Sequence, residues 1–119
     1  MVKRILTPAV LGKLADRFKA LAEPNRLAIL AALRTRERSV GELVEETGLG
    51  QANVSKHLNL LHRYGFLERR KEGLSVYYSL ADEDVFQICD IMCGRLEQEA
   101  RQLQVLIPGR VRRVAGKRG

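Results

Sequence analysis

The sequence predicts a mainly α-helical chain with one small β-hairpin, in the order helix, helix, helix, helix, strand, strand, helix. Three observations lead there. Apolar residues recur three and four apart through most of the chain. Two short helical stretches are parted only by Gly48-Leu49-Gly50, the spacing of a helix-turn-helix. The period then falls from about 3.6 to 2 over residues 66–80 and returns after Asp82. A helix-turn-helix followed at once by a hairpin is a winged helix-turn-helix.

Each element has its own signals. Thr7-Pro8 reads as an N-cap with Pro at the first helical position, and Leu11, Leu14, Phe18 and Leu21 form one apolar face behind it. Pro24 ends that helix near Ala22 and opens the next, whose buried side is Leu27, Leu30, Ala31 and Leu33. Residues 34–38 form a charged connection. Ser39-Val40-Gly41-Glu42 is a capping box that starts a short helix through Leu43 and Val44, ending at Gly48. A second helix follows from Gln51 to about Tyr64, with Val54, Leu58 and Leu61 turned inward and Gly65 as its left-handed stop. Residues 66–71 and 74–80 form two strands around a Lys71-Glu72-Gly73 turn. In the second strand Val76, Tyr78 and Leu80 share the apolar face, opposite Tyr77 and Ser79. Asp82, Glu83 and Asp84 start a long last helix towards Leu106, which Pro108-Gly109 closes.

A chain of 119 residues suits one domain, here residues 1–107, followed by a basic tail at 108–119 that reads as a disordered, solvated end. Hydrophobic residues at 45% can fill a core, and aromatics at 5% mean that Leu, Ile, Val and Ala must build it. The longest apolar stretch, 27–33, is far too short to cross a membrane, and Thr7-Pro8 interrupts the start before any long apolar run. A cytoplasmic location is the expectation, with no membrane partner. The net charge of +7 is unevenly spread. The tail carries Arg110, Arg112, Arg113, Lys117 and Arg118 with no acid, residues 51–81 are net +3, and residues 82–99 are net −5. One surface suits a polyanion and another does not.

The second helix of the motif crowds Gln51, Ala52, Asn53, Ser55, Lys56 and His57 into its N-terminal half, the end that enters a DNA major groove. Gln and Asn can pair with adenine, Lys can reach guanine or phosphate, and Ala can touch a thymine methyl. The alternative for such a face is plain solvation. Motif spacing, the basic hairpin and the segregated charge favour DNA. His57 and His62 lie about 140° apart round the helix and do not share a face as paired metal ligands would. His57 is expected to touch DNA or to pack under the wing. Arg69, Arg70 and Lys71 precede the hairpin turn and suit phosphate or minor-groove contact, with a hydroxyl from Tyr77.

Three segments resemble one family. Phe18-Lys19-Ala20-Leu21-Ala22-Glu23-Pro24-Asn25-Arg26-Leu27-Ala28-Ile29-Leu30 is similar to its opening motif. Gln51-Ala52-Asn53-Val54-Ser55-Lys56-His57-Leu58-Asn59-Leu60-Leu61, with Gly65-Phe66-Leu67 after it, is similar to its recognition helix, and Glu72-Gly73-Leu74-Ser75-Val76-Tyr77-Tyr78-Ser79-Leu80 to its wing. Over residues 14–107 the chain resembles the ArsR/SmtB family of metal- and ligand-responsive repressors. The resemblance implies a homodimer built on the first and last helices, an inverted-repeat operator in double-stranded DNA, and repression relieved by an inducer. It does not carry an inducer over. The helix at Glu42-Leu43-Val44-Glu45-Glu46 lacks the cysteine pair of soft-metal sensors, and the last helix, with Asp82, Asp84 and Asp90, lacks the histidines of zinc-type sites.

The two cysteines, Cys89 and Cys93, are four apart on the last helix. They share an apolar stripe about 120° wide with Val85, Phe86, Met92, Leu96, Ala100, Leu103 and Ile107. Two roles fit. Both thiols can be small core groups in a dimer seam, or they can form a sensor that shares one soft metal or metalloid ion, with a further thiolate from the second subunit, or that oxidises across the seam. Enzyme activity is not expected. The chain shows no phosphate-binding Gly loop, no nucleophile-base pair and no cluster of metal ligands. A winged-helix module that binds protein instead of DNA is the remaining class, and Lys56 and His57 on the recognition helix argue against it.

Overall fold

The structure, a computed structural model, describes residues 5–106. Its elements are α1 (Pro8–Leu21), α2 (Pro24–Leu33), β1 (Arg38–Ser39), α3 (Val40–Thr47), α4 (Gln51–Arg63), β2 (Leu67–Glu72), β3 (Ser75–Leu80) and α5 (Asp84–Leu106). The basic tail and Ile107 lie outside the described residues. The chain forms two units, one ending at Asp82 and one beginning at Glu83. Among the described residues, no helix is long and apolar enough to cross a membrane.

The helix starts follow local chemistry. Thr7 Oγ1 accepts from the Val10 amide at 3.2 Å, and Pro8 opens α1. Glu23, in extended conformation, caps α2 by accepting from the Arg26 amide at 2.9 Å. At α3 the capping box is complete: the Glu42 amide donates to Ser39 Oγ at 3.1 Å and the Ser39 amide to Glu42 Oε1 at 2.8 Å. Gly48 closes α3 at φ 76°, a left-handed position that a side chain would strain. That turn brings α4 back against α3, giving the helix-turn-helix.

The core of the first unit lies where α2, α3, α4 and the sheet meet. Ile29, Leu43, Val54, Leu58 and Leu61 are fully buried, and Ala20, Leu21, Leu30, Leu33, Leu67 and Tyr78 nearly so. Each large aliphatic side chain so removed from water contributes about 1.5–3 kcal/mol before entropy is counted. Ile29 belongs to this set, whereas Leu27 is 39% exposed and Ala31 is also exposed. Packing against α1, α3, α4 and β3 thus selects a face of α2 rotated from the one expected. Along α1 only Ala20 and Leu21 are buried; Leu11, Leu14 and Phe18 remain more than two-fifths exposed.

The sheet has three strands, in the order β1-β3-β2, all antiparallel. The hairpin was expected. β1 was not, because two residues carry no readable period; Arg38 and Ser39 pair with Tyr78 and Tyr77. The strands also run further than the expected Lys71-Glu72-Gly73 turn allows. Glu72 pairs with Ser75, leaving a two-residue loop, Gly73-Leu74, with Gly73 at φ 62° as tight hairpin turns demand. Tyr78 is in the core, as its alternation implies. In the second unit, α5 begins at Asp84, two residues later than the acidic cluster suggests, and Val85 and Phe86 are buried on it.

Candidate nucleic-acid interface

The recognition helix α4 is fixed by its inward side. Val54, Leu58 and Leu61, four and three apart, are fully buried. That leaves Gln51, Ala52, Asn53 and Lys56 exposed on the N-terminal half, with Ser55 and His57 half-buried at its edges. Gly50 is the N-cap, and with no side chain it caps none of the first amides of the helix.

His57 meets residues at the start of α2. Its Nδ1 accepts from Arg26 Nη1 at 3.3 Å, its Nε2 is 3.9 Å from Glu23 Oε1, and its side chain is 13% exposed. A guanidinium has only donors, so the neutral ring carries its proton on Nε2, facing Glu23. Arg26 also donates from Nε to the Ala20 carbonyl at 2.6 Å and from Nη2 to the Lys19 carbonyl at 3.2 Å. Arg26 therefore joins the end of α1 to the recognition helix. A second tie runs from Arg17 Nη1 to the Tyr64 carbonyl, at the other end of α4.

The three wing cations do not have equivalent surroundings. On β2 they face alternate sides, opposite Tyr78, Tyr77 and Val76 in turn. Arg70 is held by carboxylates: Nε and Nη2 donate to Glu37 at 2.7 and 2.8 Å, and Nη1 donates to Glu72 at 2.6 Å. Its guanidinium also lies 4.7 Å from the Tyr77 ring centre, a cation–π contact on the same side of the wing. The hydrogen bond from Arg70 holds the Glu37 carboxyl below its ordinary range, and the two carboxylates raise the guanidinium in turn. Arg69 and Lys71 point to the other side. With Ser55 and Asn59 of α4, and with Val40, Val76 and Tyr78, they line an open cleft of about 520 Å³ between the recognition helix and the wing. Asn59 was not singled out from the sequence, although its place four residues after Ser55 puts both on one helix face.

On α5, Cys89 is half-buried, Cys93 is exposed, and neither is in a disulfide. On the same helix Ile88, Ile91, Met92, Leu96 and Leu103 are between 43% and 63% exposed. Among the described residues, no three His, Cys, Asp or Glu side chains gather closely enough to hold a metal ion.

Residues 23–69 match the family model of bacterial regulatory proteins of the arsR family. The chain is 41% identical over 75 residues to the HTH-type transcriptional regulator Rv0081 of Mycobacterium tuberculosis, covering 62% of this chain and 66%, just under two thirds, of that relative. The crystal structure of Rv0081 superposes with a TM-score of 0.68 at 38% identity, over 86% of this chain and 99% of that one. The transcriptional activator HlyU of Vibrio cholerae is 39% identical over 85 residues, 71% of this chain and 78% of HlyU. The homodimeric winged helix-turn-helix DNA-binding domain of Mb0332 from Mycobacterium bovis superposes with a TM-score of 0.69 at 35% identity, over 76% of this chain and 87% of the domain. The chain belongs to the ArsR family of bacterial regulatory proteins, whose winged helix-turn-helix members are transcriptional regulators and not enzymes.

Proposed function

We propose that the chain is a homodimeric transcriptional repressor that binds an inverted-repeat operator and is released from it by an inducer. The observation that carries the reading is the division of α4: an entirely buried apolar side under an exposed Gln51, Ala52, Asn53 and Lys56. A helix anchored in this way presents base-reading groups on a rigid support. Gln51 and Asn53 read adenine, Ala52 meets a thymine methyl, and Lys56 reaches guanine or phosphate. Two copies are needed because one recognition helix reads too few bases for useful affinity. The exposed apolar residues Leu11, Leu14 and Phe18 of α1, and Met92, Leu96 and Leu103 of α5, give each helix a face suited to a second copy. The homodimeric state of the Mb0332 domain supports this reading.

Footprinting on the promoter upstream of its own gene, with sedimentation at micromolar protein, tests it. Two protected half-sites about one helical turn apart and a dimer are expected. A monomer with a single protected half-site refutes it. A promoter–reporter fusion reads the sign of regulation: expression should rise when the gene is deleted, and a fall would mark an activator. The inducer-responsive group is the thiol pair Cys89 and Cys93, both outside any disulfide. A soft metal or metalloid ion, or an oxidant, acts there with thiols of the second copy. Operator release by arsenite, antimonite, cadmium or peroxide should occur in the wild type and be lost in the Cys89→Ala/Cys93→Ala variant. Identical release in both, or none in either, rejects the sensor.

A further inference from the structure

We propose that the cleft between α4 and the wing is a seat for one phosphodiester of the DNA backbone, held by Arg69, Lys71, Asn59 and Ser55, and that Arg70 is a positioning residue that fixes the wing rather than a DNA contact. The assignment rests on the DNA-binding reading above and adds to it the division of labour among the wing cations.

The argument starts from the pleat. Residues two apart on a strand share a face, about 7 Å from each other, so Arg69 and Lys71 stand together and Arg70 stands opposite. Arg70 already spends Nε, Nη1 and Nη2 on Glu37 and Glu72. A phosphate could engage those donors only by displacing carboxylates that are the same kind of acceptor, and it would meet two negative charges there. Arg69 and Lys71 have no ion-pair partner among the described residues, and they line the cleft. Two like charges on one strand face repel each other, and an anion between them relieves the repulsion. Across the cleft, Ser55 and Asn59 supply a hydroxyl and a side-chain amide from α4. Val40 and Val76 add apolar lining. At about 520 Å³ the cleft is roomier than a lone phosphate needs, and it suits a phosphate with its flanking sugars lying on those valines. The Arg70–Glu37 pair ties β2 to the residue just before β1, on the far side of the sheet from the cleft, and so holds the strand that carries Arg69 and Lys71.

The test uses the full-length protein and a duplex of about three helical turns that it selects from a random-sequence pool. Binding is followed by fluorescence anisotropy against salt. Each neutralised phosphate contributes about 0.9 to the slope of log K against log salt. Arg69→Ala/Lys71→Ala should lower the slope by about 1.8 in a dimer, one phosphate per subunit. Asn59→Ala should weaken binding several-fold without altering the slope. Arg70→Ala and Glu37→Gln should weaken binding alike, again with the slope unchanged, which separates positioning from phosphate contact. Methylphosphonate placed at each backbone position in turn should find one site per half-site that costs the wild type affinity and the Arg69→Ala/Lys71→Ala variant none. An unchanged slope for that variant, or a slope lowered by Arg70→Ala alone, overturns the cleft assignment. A cleft that binds inorganic phosphate in calorimetry while the duplex slope ignores Arg69 and Lys71 overturns its assignment to DNA. A wild type that selects no duplex at all refutes the DNA-binding reading, and the cleft assignment falls with it.

Discussion

Truncating Arg26 to Ala removes one side chain and three hydrogen bonds at once. The guanidinium donates to the carbonyls of Ala20 at 2.6 Å and Lys19 at 3.2 Å and to His57 Nδ1 at 3.3 Å. The Lys19 carbonyl keeps the Ala22 amide as a donor, at 3.2 Å, so the main orphan is the carbonyl of the buried Ala20. A hydrogen bond from a charged donor contributes about 1.5–3 kcal/mol, and an unpaired buried acceptor costs about 1–3 kcal/mol. The three bonds share one side chain and do not add in full. The expected loss is about 2–4 kcal/mol. Urea unfolding at fixed protein concentration reads it: with a slope of about 2 kcal/mol per molar urea, the midpoint should fall by about 1–2 M and the slope should stay constant. Arg26→Lys should recover less than half of the loss, because an ammonium group cannot reach both carbonyls and the imidazole as a planar fork does. A loss under about 1 kcal/mol, or full recovery by Lys, would refute the claim that Arg26 joins α1 to the recognition helix.

Three further outcomes follow from the local geometry. Gly48→Ala places a side chain at φ 76° and should cost about 1–2 kcal/mol, whereas Gly50→Ser, at φ −68°, should add a few tenths of a kcal/mol by capping α4; thermal melts of the two variants separate them. Ser39→Ala breaks the capping box and should cost about 1 kcal/mol in the same assay. The Glu37 carboxyl is held below its ordinary value of 4.5 by Arg70, so its pair stabilises the fold fully above that value and loses its contribution as pH falls through the lower folded-state value. Glu37→Gln should therefore reduce Tm at pH 7 and leave little difference from wild type once the carboxyl is protonated; an equal reduction at both pH values would contradict the pairing.

The elements of this chain are written in short-range signals, and those were readable without coordinates. Thr7-Pro8, the Ser39–Glu42 box, Gly48 and the buried triad Val54, Leu58 and Leu61 each act within one or two turns of chain, where spacing alone decides what meets what. The order of the helices and the hairpin, and with it the face that presents Gln51, Asn53 and Lys56, was therefore determined by the sequence itself; the two-residue β1 was not. The partners of individual side chains were not. Arg70 and Glu37 are 33 residues apart and Arg26 and His57 are 31 apart, and no periodicity links positions at that distance. Read along β2, Arg69, Arg70 and Lys71 are three similar cations; only the pleat and the fold place one among carboxylates and two beside the recognition helix. The same holds for α2, where periodicity marked an apolar surface but the neighbours on every side decided that Ile29 and not Leu27 would be buried. Local chemistry chooses conformation residue by residue, whereas burial and ion pairing depend on which distant segments close the remaining sides, and only the tertiary structure decides that.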